Sequence, residues 1–276
     1  MRQRRVSAAW ASTALDGVLQ GRDREATVWA SSELASYLEL PGDGGSPAVV
    51  ALLSKKAVRL PIGVVLETDR LPERGSCVTI GNGLIASRDG AWRPVRWWDP
   101  RPVVSVESLF EHWHPLTELL EDQAPASFGL PLAESFAIAS DLARGEPAMA
   151  VASIGLGPGL TPAADDVVAG AFAVLALGGF LDDDVRSEVV ACARTRTTAL
   201  SAALIGAAGR AEMIPQAASV LSALAEAAPT ARLRAAVAGL FAVGATSGHD
   251  LCAGIAGALA AGARAGAQSS TARRPR

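Results

Sequence analysis

Two hydrophobic periods divide this chain. Short apolar runs come first, at Ala48–Leu53 and, after Pro61, at Val64–Glu67. Cys77–Ile80 and Leu84–Ser87 flank Gly81-Asn82-Gly83. Asn and Gly tolerate positive φ, so this spacing predicts a β-hairpin. Asp89-Gly90 predicts a second turn before Trp92–Trp97, and residues 48–98 read as a small antiparallel β region. Ahead of it, Ala8–Leu19 and Glu33–Leu38 carry short helical patterns on either side of Thr27–Trp29. Pro41–Pro47, with Gly42, Gly44 and Gly45, reads as a loop.

From Val106 onward the period lengthens. Val106, Leu109, Phe110, Trp113, Leu116 and Leu120 recur at three- and four-residue steps. Helices rich in Ala and Leu are predicted over 131–144, 162–180, 184–209, 215–227, 231–243 and 248–265. The pattern implies an α+β fold. A β-rich N-terminal domain spans 1–104, an Ala-rich helical domain spans 105–265, and the Ser-, Arg- and Gly-containing stretch 266–276 is expected to be a disordered tail. One internal echo joins Asp166-Val-Val-Ala-Gly170 to Asp250-Leu-Cys-Ala-Gly254, and each follows a turn containing Gly and Thr.

Composition sharpens this picture. Hydrophobic residues make up 50% of the chain but aromatics only 5%, so small side chains build the core and let helices approach closely. The net charge of -3 argues against a dedicated nucleic-acid binder, which would carry a basic stripe. Arg2, Arg4 and Arg5, and Arg273, Arg274 and Arg276, form basic clusters that read as solvated ends. Cys77, Cys192 and Cys252 share no metal or redox spacing and read as small buried hydrophobes in a reducing compartment. No signal-type apolar run follows the first arginines, and Val167–Leu181 is too short for a bilayer span. A cytoplasmic protein is expected.

Candidate chemistry is concentrated in three segments. The first is Gly155-Leu-Gly-Pro-Gly-Leu-Thr-Pro-Ala-Ala-Asp-Asp166. Gly155, Gly157 and Gly159 let backbone approach a ligand, while Thr161 is placed to cap a helix that starts at Pro162. The exposed N–H groups of such a start favour an anion. Asp165 and Asp166 would repel one unless a cation such as Mg²⁺ bridges them, which makes both candidate metal ligands. As an ordinary helix start, the same two residues would simply complement the dipole. The second segment is Gly244-Ala-Thr-Ser-Gly-His-Asp250, where Ser247 and Asp250 fall at capping-box spacing and Thr246 and His249 add polar groups. The third is Arg194–Ser201, where Arg194, Thr198 and Ser201 would share one helical face suited to a carboxylate or phosphate. The hydroxyls of that face could equally bond back to their own helix. His112 and His114 lie two apart and cannot share a face, so no metal pair is expected there.

Taken together, the Gly-Pro-Gly-Leu-Thr-Pro run ending in Asp165-Asp166, the Thr197-Thr198-x-x-Ser201 stretch and Thr246-Ser247-Gly248-x-Asp250 resemble the AllH-type oxamate carbamoyltransferase subunits. Much of that family is known only as a domain of unknown function. The likeness runs from about residue 48 to 262 and is densest in the helical half. The family motif usually carries Ser and Gly where this chain has Ala163 and Ala164. The resemblance implies a role in purine (allantoin) nitrogen catabolism. There, oxalurate and phosphate give oxamate and carbamoyl phosphate in a complex of several subunits. It also implies Gly155, Gly157, Gly159, Thr161, Arg194, Thr197, Thr198, Ser201, Thr246 and Ser247 as substrate contacts, with Asp165, Asp166 and Asp250 as catalytic groups. The alternative is a non-catalytic structural or regulatory subunit of such a complex, whose glycine turns dock another protein.

Overall fold

A computed structural model describes residues 6–41, 48–68 and 70–272. The chain is α+β and forms two compact units, Met1–Pro100 and Arg101–Arg276. The division falls four residues before the boundary the pattern suggests.

The first unit is a closed eight-stranded barrel. Its strands are β1 (Val6–Ser12), β2 (Arg24–Ser31), β3 (Ala35–Leu40), β4 (Ala48–Leu53), β5 (Gly63–Leu66), β6 (Cys77–Gly81), β7 (Leu84–Ser87) and β8 (Gly90–Trp98), with a short helix α1 (Asp16–Gln20) after β1. The order around the barrel is β1-β5-β4-β3-β2-β6-β7-β8. Two junctions are parallel, β1 with β8 and β4 with β5, so the sheet is mixed rather than purely antiparallel. Alternate residues such as Leu38 and Leu40, Val50 and Leu52, Val64 and Leu66, and Val78 and Ile80 fill the interior. The expected hairpin forms between β6 and β7, with Asn82 at φ 49°.

Of the two helical readings in this unit, one is overturned and one holds only in part. The first part of Ala8–Leu19 is β1, and only its second part is helical, a 3-10 turn at Thr13–Leu15 running into α1; Glu33–Leu38 leads into β3. The barrel therefore begins at Val6, not at residue 48. Helix propensity is a weak prior, and β1 is held by ladders on both sides, to β5 and β8. Its alanines, Ala9 and Ala11, are fully buried, because the small side chains face a crowded barrel interior. The loop read at Pro41–Pro47 lies mostly outside the described residues. Cys77 is exposed and Cys192 half-buried, so only Cys252 is the buried hydrophobe expected, with its thiol pushed up to about 12 by burial.

The second unit is helical: α2 (Val106–Glu111), α3 (His114–Glu121), α4 (Leu132–Ala143), α5 (Ala148–Ser153), α6 (Ala163–Gly178), α7 (Asp183–Arg196), α8 (Ala199–Ala208), α9 (Pro215–Ala225), α10 (Thr230–Phe241) and α11 (Ser247–Ala272). The single helix predicted over 184–209 is broken at Thr197, which is extended at φ -130° and ψ -173°. Thr198 then caps α8 by accepting from Ser201 N. Helix α11 continues to Ala272, past the start of the expected tail, and the rest of that tail lies outside the described residues.

Helix α6 is the centre of this unit. Every residue from Ala163 to Leu175 is buried, as expected of a helix apolar on all sides. Its most extensive partner is α11. The approach is close enough to exclude a side chain: a Cβ on Gly170 would stand 2.2 Å from the Leu251 carbonyl oxygen. Reciprocally, a Cβ on Gly254 would stand 2.0 Å from the Val167 carbonyl oxygen. The echo in the sequence is thus the contact itself, position for position. Both helices run the same way through it, which brings their N-termini together.

This crossing predicts the effect of adding one methyl group. Gly170→Ala and Gly254→Ala should each destabilise the chain by about 1–3 kcal/mol, since backbone must move to admit the Cβ. Gly206→Ala in α8, where a Cβ meets nothing within 4 Å, should instead stabilise it by about 0.5–1 kcal/mol. Urea melts of the three variants check this, and a neutral Gly254→Ala would contradict the packing.

Candidate functional site

The glycine turn before α6 is held by two side chains and one backbone hydrogen bond. Gly155 N donates to Asp165 Oδ1 at 2.8 Å, Ala164 N donates to the Leu156 carbonyl at 3.2 Å, and Thr198 Oγ1 donates to the Leu160 carbonyl at 2.5 Å. Gly157, at φ 123°, stands over the first turn of α6, where a Cβ would come within 2.7 Å of Ala163 N. Pro162, not Thr161, occupies the N-cap position. Thr161 turns its hydroxyl toward α11 and hydrogen-bonds Ser247 Oγ at 3.0 Å. The two segments singled out in the sequence therefore meet.

Asp165 is the anchor of the turn. Besides Gly155 N, it accepts hydrogen bonds at Oδ2 from Ser201 Oγ at 2.7 Å and from Thr197 Oγ1. Both carboxylate oxygens are engaged, and the residue is almost fully buried. Thr197, Thr198 and Ser201 are likewise spent on Asp165, on the Leu160 carbonyl and on capping α8. The shared face predicted for Arg194, Thr198 and Ser201 does not form, because α7 ends at Arg196 before the two hydroxyl residues. Arg194 is exposed on α7. Its neighbour Arg196 donates to the carbonyls of Val151, at 2.6 Å, and Ala152, at 3.4 Å.

Asp250 is the anchor on the other side. It accepts from Gly129 N at 2.9 Å and from Leu130 N at 3.2 Å, and so ties the start of α4 to the start of α11. The predicted capping box is absent. Asp250 N bonds the Thr246 carbonyl within the helix, and the carboxylate reaches across to another segment. Gly129 is required by this closeness: a Cβ would lie 2.8 Å from Asp250 Oδ2 and 2.9 Å from Thr246 Oγ1. Sequence reasoning missed Phe128-Gly129-Leu130. The glycine two residues before Pro131 was its only local signal, and the partner lies 121 residues away. His249 is not the surface group its neighbours suggest. Its ring stacks on Phe241 at 3.9 Å and meets the edge of Phe128, and burial lowers its pKa.

Three carboxylates are thus buried at the joined helix starts. Asp165 and Asp250 have donors. Asp166 does not have enough: its Oδ2 is buried with no hydrogen-bond partner. Burial pushes the Asp166 pKa well above the usual carboxylate range. The nearby Ser247 and Thr161 hydroxyls oppose that rise, and the charges of Asp250 and Asp165 add to it. Asp250 is also raised, mainly by burial, against the hydrogen bonds it accepts. Among the described residues no three His, Cys, Asp or Glu side chains are grouped to hold a metal ion. Both oxygens of Asp165 already accept hydrogen bonds.

The raised pKa of Asp166 has a stability consequence. The folded chain keeps this proton above 3.8, the unfolded value, so its contribution is complete below that pH and is lost as pH rises through the folded value. Wild type should lose melting temperature relative to Asp166→Asn as pH rises above 3.8. Parallel curves for the two proteins would contradict the assignment. Ser201→Ala, which removes one Asp165 donor, should cost about 1–3 kcal/mol in a urea melt at neutral pH.

No curated protein and no solved structure matches the chain. No helix among the described residues is long and apolar enough to cross a membrane. A family model does match, over less than half of the chain: the segment from Ser153 through Leu259, which begins just before the glycine turn and ends within α11. The likeness read from residue 48 is therefore not matched before 153. Residues 153–259, holding both helix starts and the Thr197–Ser201 break between them, match the family of the oxamate carbamoyltransferase subunit AllH.

Proposed function

We propose that this chain is a subunit of an oxamate carbamoyltransferase acting in allantoin nitrogen catabolism with other, different subunits, and that the joined starts of α6 and α11 hold its small carboxylate ligand. The observation that carries the reading is the convergence of two helix N-termini inside the segment that matches the family. Positive dipole ends and free backbone N–H groups are a ready anion site. Among the described residues, the N–H groups of Gly157, Gly159, Thr161 and Ala163 make no internal hydrogen bond. They are the donors offered to a carboxylate or phosphate.

The reaction asks for such a site. A phosphate oxygen bonds to the carbamoyl carbon of oxalurate, the bond from that carbon to the oxamate nitrogen breaks, and the nitrogen takes the proton released by phosphate. Oxalurate and oxamate share one carboxylate end, so one set of N–H donors serves substrate and product. Asp165 and Asp250 act in this reading as positioning residues. Each holds a turn in place through backbone N–H groups, which leaves Asp166 as the acidic group with an oxygen to spare. Any Mg²⁺ would arrive with the phosphate, since the chain's own carboxylates are largely committed.

Calorimetry of the purified chain with oxamate, phosphate and carbamoyl phosphate, with and without Mg²⁺, tests the proposal. Oxamate is expected to bind with Kd below about 1 mM. Gly157→Ala, which puts a methyl group against Ala163 N, should weaken it about tenfold or more while the protein still melts cooperatively. No binding of any of the three to the chain, or equal binding to Gly157→Ala, would overturn the site.

A further inference from the structure

We infer that the outer face of the barrel along β1 and β8 docks an acidic segment of another protein chain, with the guanidinium groups of Arg59 and Arg96 as its carboxylate-binding forks. This surface lies outside the segment that matches the family, and it does not depend on the ligand site at the helix starts.

Alternation along β1 sets this surface. Ala9 and Ala11 are buried inside the barrel, so Ala8 and Trp10 face outward. Trp10 pairs with Arg96 on β8 to one side and with Val65 on β5 to the other. The Arg96 guanidinium lies over the Trp10 ring, 5.0 Å from its centroid. Arg59 reaches the same ring at 5.5 Å, from the loop between β4 and β5. That loop, residues 54–62, also carries Lys55 and Lys56 and holds no acid. Arg93 stands beside Ala8, one step along the same outer row. Glu67 is the acid closest in register: its N–H donates to the Ala8 carbonyl, yet no ion pair joins it to Arg93.

These arginines differ from ordinary surface cations. Among the described residues, Arg59, Arg93 and Arg96 pair with no carboxylate, whereas Arg144, Arg186, Arg210 and Arg232 of the helical unit each pair with an acid near in sequence. Stacking on an indole fixes the plane of a guanidinium and leaves its N–H edge open, so little rotamer freedom is lost when a carboxylate arrives. Apolar side chains lie exposed on the same two strands: Val6 on β1, and Val95 and Trp97 on β8. Val95 is the extra residue where the β1–β8 register shifts, and the bulge turns it outward. Trp and Arg beside exposed apolar groups are the chemistry of a protein-docking hot spot.

The occupant follows from charge and shape. The unpaired cations, set against Glu67 alone, ask for several negative groups. Nucleic acid is the poorer fit. Its bases need an open aromatic face, and guanidinium groups cover the Trp10 ring. Its backbone needs a basic stripe, whereas the chain's net charge is -3. A protein segment that alternates acids with apolar residues meets the two forks and the exposed valines at once. The closed barrel has no free edge for an added strand, so recognition runs through side chains.

Fluorescence anisotropy of a fluorescein-labelled peptide of alternating Glu and Leu, titrated with the full chain, tests the inference. The peptide should bind saturably and more weakly as salt rises. Arg59→Gln combined with Arg96→Gln should weaken it about tenfold or more. Arg234→Gln, which alters an exposed arginine of α10, should leave it unchanged. Arg59→Lys combined with Arg96→Lys keeps the charge but not the fork, and should recover only part of the affinity. Thermal melts confirm that each variant is folded. No binding of the peptide by wild type, or equal binding by the Gln pair, would overturn the docking surface. Tighter binding of an oligothymidine than of the peptide, lost in the same Gln pair, would overturn the protein partner in favour of a nucleic acid.

Discussion

The close approach of α6 and α11 at Gly170 and Gly254 is the constraint on which the helical unit depends. Two backbones can come this near only where neither carries a side chain at the crossing. The consequence reaches one turn away, where Asp166 and Asp250 stand at the starts of the same two helices. With the axes so close, the turns before them also meet, and Thr161 finds Ser247. A core made mostly of Ala, Val and Leu is what permits this geometry. Larger aromatic side chains would hold the helices apart and separate the two starts.

Such proximity has an electrostatic cost, and the fold meets it with hydrogen bonds. Three carboxylates are buried within one neighbourhood, and each would be expensive if left without donors. Asp165 and Asp250 are turned into staples. One draws the glycine turn against the α7–α8 break, and the other draws the loop before α4 against α11. The dipoles of α6 and α11 favour negative charge at the same place. Asp166 is the residue for which this provision is incomplete: its Oδ2 has no donor, and burial raises its pKa.

The legibility of all this was uneven. The helical half was readable because its apolar residues recur at helical steps, and the two helix starts were readable because Gly, Thr, Pro and Asp are dense there. The barrel was read in part. Its hairpin at Gly81–Gly83 has a local turn signal, whereas β1 and β3 take their conformation from ladders to distant strands and look helical alone. The Arg194 face failed for a related reason. Thr197 and Thr198 fit a continuing helix by spacing, but their hydroxyls are better satisfied by Asp165, by the Leu160 carbonyl and by the cap of α8. Gly129 was invisible because its role is set by Asp250, far along the chain. The echo around Asp166 and Asp250 had little weight as a sequence pattern. Its meaning lies in the packing, where each copy supplies the gap that the other's backbone fills.

The central claim is that the starts of α6 and α11 form one ligand site. Amide chemical shifts of the ¹⁵N-labelled chain during an oxamate titration test it most directly. The account predicts saturable shifts at Gly157, Gly159 and Ala163, and in the same titration at Ser247, Asp250 and Gly129, all with one dissociation constant. Shifts confined to one of the two turns, or centred on residues of the barrel, would contradict it.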